Sequence, residues 1–219
     1  MKSKIQQILT KKELSLIKKL NTPNKVQNFL DKVPFNFEER GETYYSPRKM
    51  LKARKAHCFE GAMFAHLCLT YHNIENYILD LKVKDKFMQK DEDSDHILCI
   101  FKINTYWGAI SKTNHSVLRS RDPIYKNVRE LAMSFYHEYF LDTGEKTLKS
   151  FSKPFNIFKK FGVSWIIKED NLDEIVKALD KSAHLNFIPQ KNKNLIRKVG
   201  RTEIKGASVI EWQKNRKKV

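Results

Sequence analysis

Cysteine is scarce in this chain, acid is outnumbered by base, and long apolar runs are missing. Its 219 residues hold three cysteines, Cys58, Cys68 and Cys99. The number is odd and no CxxC pair occurs, which argues against a disulfide framework and against a cysteine-based zinc site. Free thiols are expected. The histidines at 66, 72, 115, 137 and 184 have no metal-type mutual spacing, so neither a metal nor another cofactor is expected. No apolar run approaches the ~18 residues of a membrane span. The N-terminal MKSKIQQILTKKELSLIKKL is amphipathic and Lys-rich, without the apolar core of a signal peptide. A cytoplasmic protein without membrane contact is expected.

What is present is globular composition. Residues are 41% apolar and 31% charged, with 14 phenylalanines, and this length suits one main domain. We place that domain at 1–190 and a basic tail, partly docked through its apolar residues, at 191–219. Basic residues outnumber acidic ones 42 to 25, giving +17. The tail holds ten Lys and Arg against Glu203 and Glu211, which is +8 of that total. Such charge suits either a solubilising surface or a nucleic-acid or acidic partner. Against nucleic acid, the chain has no RNP-like aromatic pattern, helix-turn-helix signature or KH-type loop.

Periodicity predicts one helix over residues 1–20 and a second after Thr22–Pro23, a cap followed by a first-turn proline. A polar, aromatic loop, FNFEERGETYYSPRK, follows. From about Cys58 to Tyr71 the pattern is a buried helix in which Gly61, Ala62 and Ala65 permit close approach. ENYILDLKV, DHILCIFKI and YWGAISK alternate as strands, the last two joined at about Asn104–Thr105 as an antiparallel hairpin. KDKFMQKDEDSD between the first two is a polar loop with an acidic end. Asp122 before Pro123 signals a helix running to about Phe140, and a further helix is expected from about Asn171 to Ser182.

Cys58 opens the buried helix, where the partial positive charge and free N–H groups of a helix N-terminus favour a thiolate and receive an oxyanion. A nucleophilic cysteine also needs a histidine base and an Asn or Asp to orient it. His96 opens the next but one element, and the hairpin register sets about Thr113 or Asn114 opposite it. Asn114 is one candidate for the orienting residue; Asp122, a carboxylate one loop further on, is the other. His57 is expected to be a surface or capping residue, because adjacent helical side chains do not face each other. Glu60 in the first turn suits the helix dipole or a substrate-lining role. Trp107 suits hairpin packing or a wall beside the thiolate.

AHCFEGAMFAHLCLTYHNIENYILDL followed by DHILCIFKINTYWGAISK resembles the core of the transglutaminase-like group within the papain-like cysteine-enzyme superfamily, over about residues 50–125. The flanking segments suggest a bacterial branch of that group. The resemblance implies an α+β fold, a Cys-bearing helix packed on an antiparallel β-sheet with flanking helices. It implies Cys58 as nucleophile, His96 as base and Asn114 or Asp122 as third member. The family usually has an aspartate soon after a Trp-containing strand, whereas Trp107 is followed by GAISKTN. The implied activity is hydrolysis or acyl transfer on a peptide or other amide through a thioester. The alternative is a catalytically silent member of the group whose basic surface binds nucleic acid or an acidic partner.

Overall fold

A computed structural model describes residues 1–39, 41–89 and 93–212. Part of the expected acidic loop (90–92) and the end of the basic tail (213–219) lie outside the described residues. The chain is α+β, built on a six-stranded antiparallel sheet of β1 (Asn76–Val83), β2 (His96–Ile103), β3 (Tyr106–Ile110), β4 (Arg121–Tyr125), β5 (Leu148–Ser152) and β6 (His184–Asn186). The strand order is β4-β3-β2-β1-β5-β6.

Helices cover both faces of the sheet. On one lies α5 (Cys58–Tyr71), surrounded by α1 (Lys2–Ile8), α2 (Lys11–Lys19), α3 (Pro23–Asp31), α4 (Pro47–Ala53), α8 (Ile157–Phe161) and α9 (Asp173–Asp180). On the other lies α7 (Val128–Tyr136). Twelve of the 14 residues of α5 are buried, as expected of a helix apolar all round. Strand alternation assigns the faces: Ile78, Cys99 and Phe101 pack with α5, while Leu79, Leu81, Leu98 and Ile100 pack with α7. Two short helices complete the set: α6 (Asp85–Met88), inside the segment expected to be a polar loop, with Phe87 buried, and α10 (Arg201–Ala207).

The β2–β3 hairpin turns at Asn104 and Thr105, both at positive φ (48° and 73°), as a two-residue primed turn requires. Two expectations need correction. The helix over 1–20 is broken, because Thr10 and Glu13 form a capping box that starts α2 afresh. Asp122 and Pro123 lie in β4 and start no helix; Asn127 caps α7 instead, its side chain accepting from the Glu130 N–H. A proline is tolerated in β4 because that strand is at the sheet edge.

The described part of the tail docks on either side of α10. Lys146 Nζ donates to the Arg197 carbonyl at 3.0 Å, and the Val199 N–H donates to the Gly144 carbonyl at 3.0 Å. Further on, the Ser116 N–H donates to Val209 O at 3.1 Å and the Glu211 N–H to Asn114 O at 3.0 Å.

Candidate active site

Cys58 is the first residue of α5 and His57 its N-cap. The cap is held by carboxylates. Glu60 Oε2 accepts from the His57 N–H at 2.9 Å and lies 2.7 Å from Nδ1; Glu38 Oε1 lies 3.0 Å from Nε2. Burial alone would lower the His57 pKa, but the two carboxylates outweigh it and hold the value well above the ordinary range. Carboxylates at both ring nitrogens favour the charged form of His57 beside Cys58, and Nδ1 also lies 3.1 Å from the Phe59 N–H. Glu60 is fully buried and also accepts from Thr43 Oγ1 at 3.0 Å and the Tyr45 N–H at 3.2 Å. It is a support of the loop and the cap; it lines neither of the cavities described below.

Gly61 lets this first turn approach the chain leaving β3. A Cβ there would lie 2.3 Å from Lys112 Cβ. Lys112 is buried and donates to Leu30 O at 3.0 Å and Val33 O at 2.5 Å, at the C-terminal end of α3. Burial lowers its pKa to about 8. Next to it, Gln27 of α3 clamps Ser111 in the manner of a strand neighbour: Oε1 accepts from the Ser111 N–H at 3.0 Å, and Nε2 donates to Ser111 O at 2.9 Å.

β3 ends at Ile110, so the edge of β2 facing it is unpaired at His96. The Cys58 thiol fills that gap. Its sulfur is 4.0 Å from the Asp95 carbonyl oxygen, at the backbone beside His96, and the neighbouring Ile97 N–H works to lower its pKa. Burial raises the thiol pKa, and the charge of His57 opposes this.

The His96 ring is buried on the α7 side, 6.3 Å between centroids from Tyr139. Its Nε2 is 2.9 Å from Ser111 Oγ, and Ser111 Oγ is 2.7 Å from Leu118 O. A carbonyl only accepts, so the Ser111 hydroxyl spends its hydrogen on Leu118 and must accept from His96 Nε2–H. The neutral ring is thereby fixed with its lone pair on Nδ1. Burial, followed by the charges of His115, His57 and Arg121, pushes the His96 pKa down to about 3. It is neutral at pH 7.

A cavity of about 520 Å³ is shared by Cys58, His96, Asn114, His115, Tyr139 and Glu38, among others. On the other flank of Cys58 a smaller cavity of about 210 Å³ is lined by His57, Asp80, Asp95 and Asp180 among others.

The structure thus brings Cys58, His96 and Asn114 to one cavity and leaves Asp122 and Trp107 out. Asn114 does not orient His96: its Oδ1 accepts from the Trp212 N–H at 2.7 Å. The hairpin register continued would set Thr113 opposite His96, but the chain departs after Ile110 and presents Ser111 instead. Asp122 is exposed on β4 beside a separate small cavity. Trp107 is half-buried at the hairpin end of β3, its ring 5.4 Å from Lys102 Nζ and 6.0 Å from the Tyr77 ring. Sequence reasoning missed Ser111, Gln27 and Glu38. The one available signal was a hydroxyl following the third strand.

The chain matches no family model, and no curated protein matches it.

Proposed function

We propose that this protein is a transglutaminase-like cysteine-dependent enzyme that cleaves or transfers an amide or related acyl group through a thioester on Cys58. What carries the reading is one arrangement: a thiol at the N-terminus of a buried helix, set against the backbone next to a neutral histidine whose tautomer is fixed, with both side chains lining one cavity.

In the first half-reaction His96 Nδ1 takes the thiol proton as Sγ bonds to the acyl carbon, and the developing oxyanion is met by the N–H of Cys58 at the start of α5, since those of Phe59 and Gly61 are engaged by His57. The C–N bond then breaks and the imidazolium returns its proton to the leaving amine. In the second, water or an amine gives a proton to Nδ1 as it bonds to the acyl carbon. The C–S bond breaks and the sulfur recovers the proton. Ser111 takes the place the family gives to Asn or Asp. A neutral hydroxyl stabilises an imidazolium less than a carboxylate does, so the design relies on tautomer and position more than on charge. His57, already protonated and held by two carboxylates, is unsuited to be the base; its charge favours the thiolate.

A chloroacetamide probe tests the nucleophile. Labelling is expected at Cys58 and lost in Cys58→Ala. Equal labelling of the variant, or labelling mainly at the buried Cys68 or Cys99, would remove Cys58 from the mechanism.

A further inference from the structure

Acid is the minority charge in this chain, yet it collects on one flank of Cys58. The 210 Å³ cavity is lined by Glu38, Glu42, Asp80, Asp95 and Asp180, and among the described residues no lysine or arginine lines it. Asp80 comes from β1, Asp95 precedes β2 and Asp180 ends α9, and each brings a carboxylate oxygen within 4.8 Å of the other two. A lysine and a histidine hold the cluster from its surroundings. Lys82 Nζ is 2.9 Å from Asp180 Oδ1 and 3.9 Å from Asp95 Oδ2, and His184 Nε2 is 3.1 Å from Asp80 Oδ2.

One acceptor is left over. Asp80 is only 1% exposed, and its Oδ1 is buried without a hydrogen-bond partner. A buried carboxylate oxygen without a donor is costly and rare, and in a cavity wall it marks where a donor is missing. Beside the carboxylates the wall carries an apolar stretch of Phe59, Ile97, Val176 and Leu179, with His57, already engaged by Glu38 and Glu60, at the Cys58 end. An apolar sleeve ending in carboxylates suits a long aliphatic stem with a cationic head. The volume falls below the roughly 300–1,000 Å³ of sites for whole small molecules and suits a single side chain.

We propose that this cavity is the specificity pocket of the Cys58 site and takes an arginine or lysine side chain of the substrate, held for recognition beside the reacting carbonyl and not as the reacting group. The proposal rests on Cys58 being the nucleophile. Three clustered carboxylates also suit a hard metal ion. Lys82, however, already supplies the cation that Asp95 and Asp180 share, and a metal would have to displace it, whereas the unmet acceptor is on Asp80.

The test uses full-length Cys58→Ala protein, titrated by NMR with N-acetyl-arginine amide and with its uncharged isostere N-acetyl-citrulline amide. Arginine is expected to bind roughly tenfold or more tighter than citrulline, the scale of a charge-assisted hydrogen bond. Asp180→Asn, at an exposed position, should cut that preference severalfold without unfolding the protein. Equal affinity for the two amides, or a preference that survives both Asp180→Asn and Asp95→Asn, overturns the proposal. So does saturable binding of Ca²⁺ or Mg²⁺ alone at these aspartates with no preference for arginine. Because binding is read without the thiol, its failure is distinct from failure of the nucleophile, which chloroacetamide labelling reports.

Discussion

His57 and His96 flank the same cysteine in opposite surroundings. On the helix side, His57 has a carboxylate at each ring nitrogen, which holds its pKa well above the ordinary range. On the strand side, His96 has a hydroxyl at Nε2, an aromatic neighbour and burial, and is neutral. Adjacency in sequence favours His57 as the base, but its proton is already bound by Glu38 and Glu60. The comparison teaches that a base is identified by what occupies its second nitrogen. A carboxylate pair fixes charge; a hydroxyl whose own hydrogen is committed elsewhere fixes a lone pair.

The largest expected effect breaks the helix-side arrangement. Glu60→Ala removes the acceptor of two backbone N–H groups and one hydroxyl and leaves His57 with one carboxylate, so it should cost about 3–5 kcal/mol in urea denaturation. A loss under ~1 kcal/mol would show that the cap does not depend on it.

The two histidines should next be separable by pH. His57 has a folded-state pKa above the unfolded value of ~6.5, so its contribution is complete below that pH and is lost as pH rises through the folded value. His96 has the opposite sign. Its folded value of about 3 makes the native state reluctant to bind a proton, so stability falls as pH drops from ~6.5 towards 3, by up to about 1.4 kcal/mol per unit. Urea midpoints measured across pH should show His96→Gln flattening the acid limb and His57→Gln the neutral-to-alkaline one. The same limb flattened by both substitutions would contradict the contrast.

A smaller effect concerns Ser111. Ser111→Ala leaves His96 Nε2 without its acceptor and should cost about 1 kcal/mol of stability. It should also slow Cys58 alkylation about threefold to tenfold through loss of the tautomer, and Ser111→Thr should recover part of both. An unchanged alkylation rate would make Ser111 a packing residue only.

The sheet centre and α5 were legible in the sequence because they obey a period. β1 to β3 alternate around Ile78, Leu79, Leu98 and Cys99, and α5 is apolar on every face. The outlying strands were not: β4, at one edge, carries a proline, and β5 and the other edge strand β6 span five and three residues. Cys58 and His96 could be chosen because each opens a periodic element. Ser111 could not, since its contact depends on β3 leaving its register, and Gln27 of α3 enforces that departure from 84 residues away. Glu38 sits at positive φ (52°) in an aperiodic loop, where no pattern announces a carboxylate aimed at His57. The acidic cavity is assembled from positions 38, 42, 80, 95 and 180, which have no local signature.

The central claim is that His96, and not His57, takes the proton of Cys58. Its most direct measurement is the rate of Cys58 alkylation by chloroacetamide near pH 7 in wild type, His96→Ala and His57→Gln, with folding of each verified by circular dichroism. His96→Ala should slow the reaction by about 10²-fold, the lower end of general-base contributions, and His57→Gln by much less. A His96→Ala rate equal to wild type, or a larger loss in His57→Gln, would contradict the account.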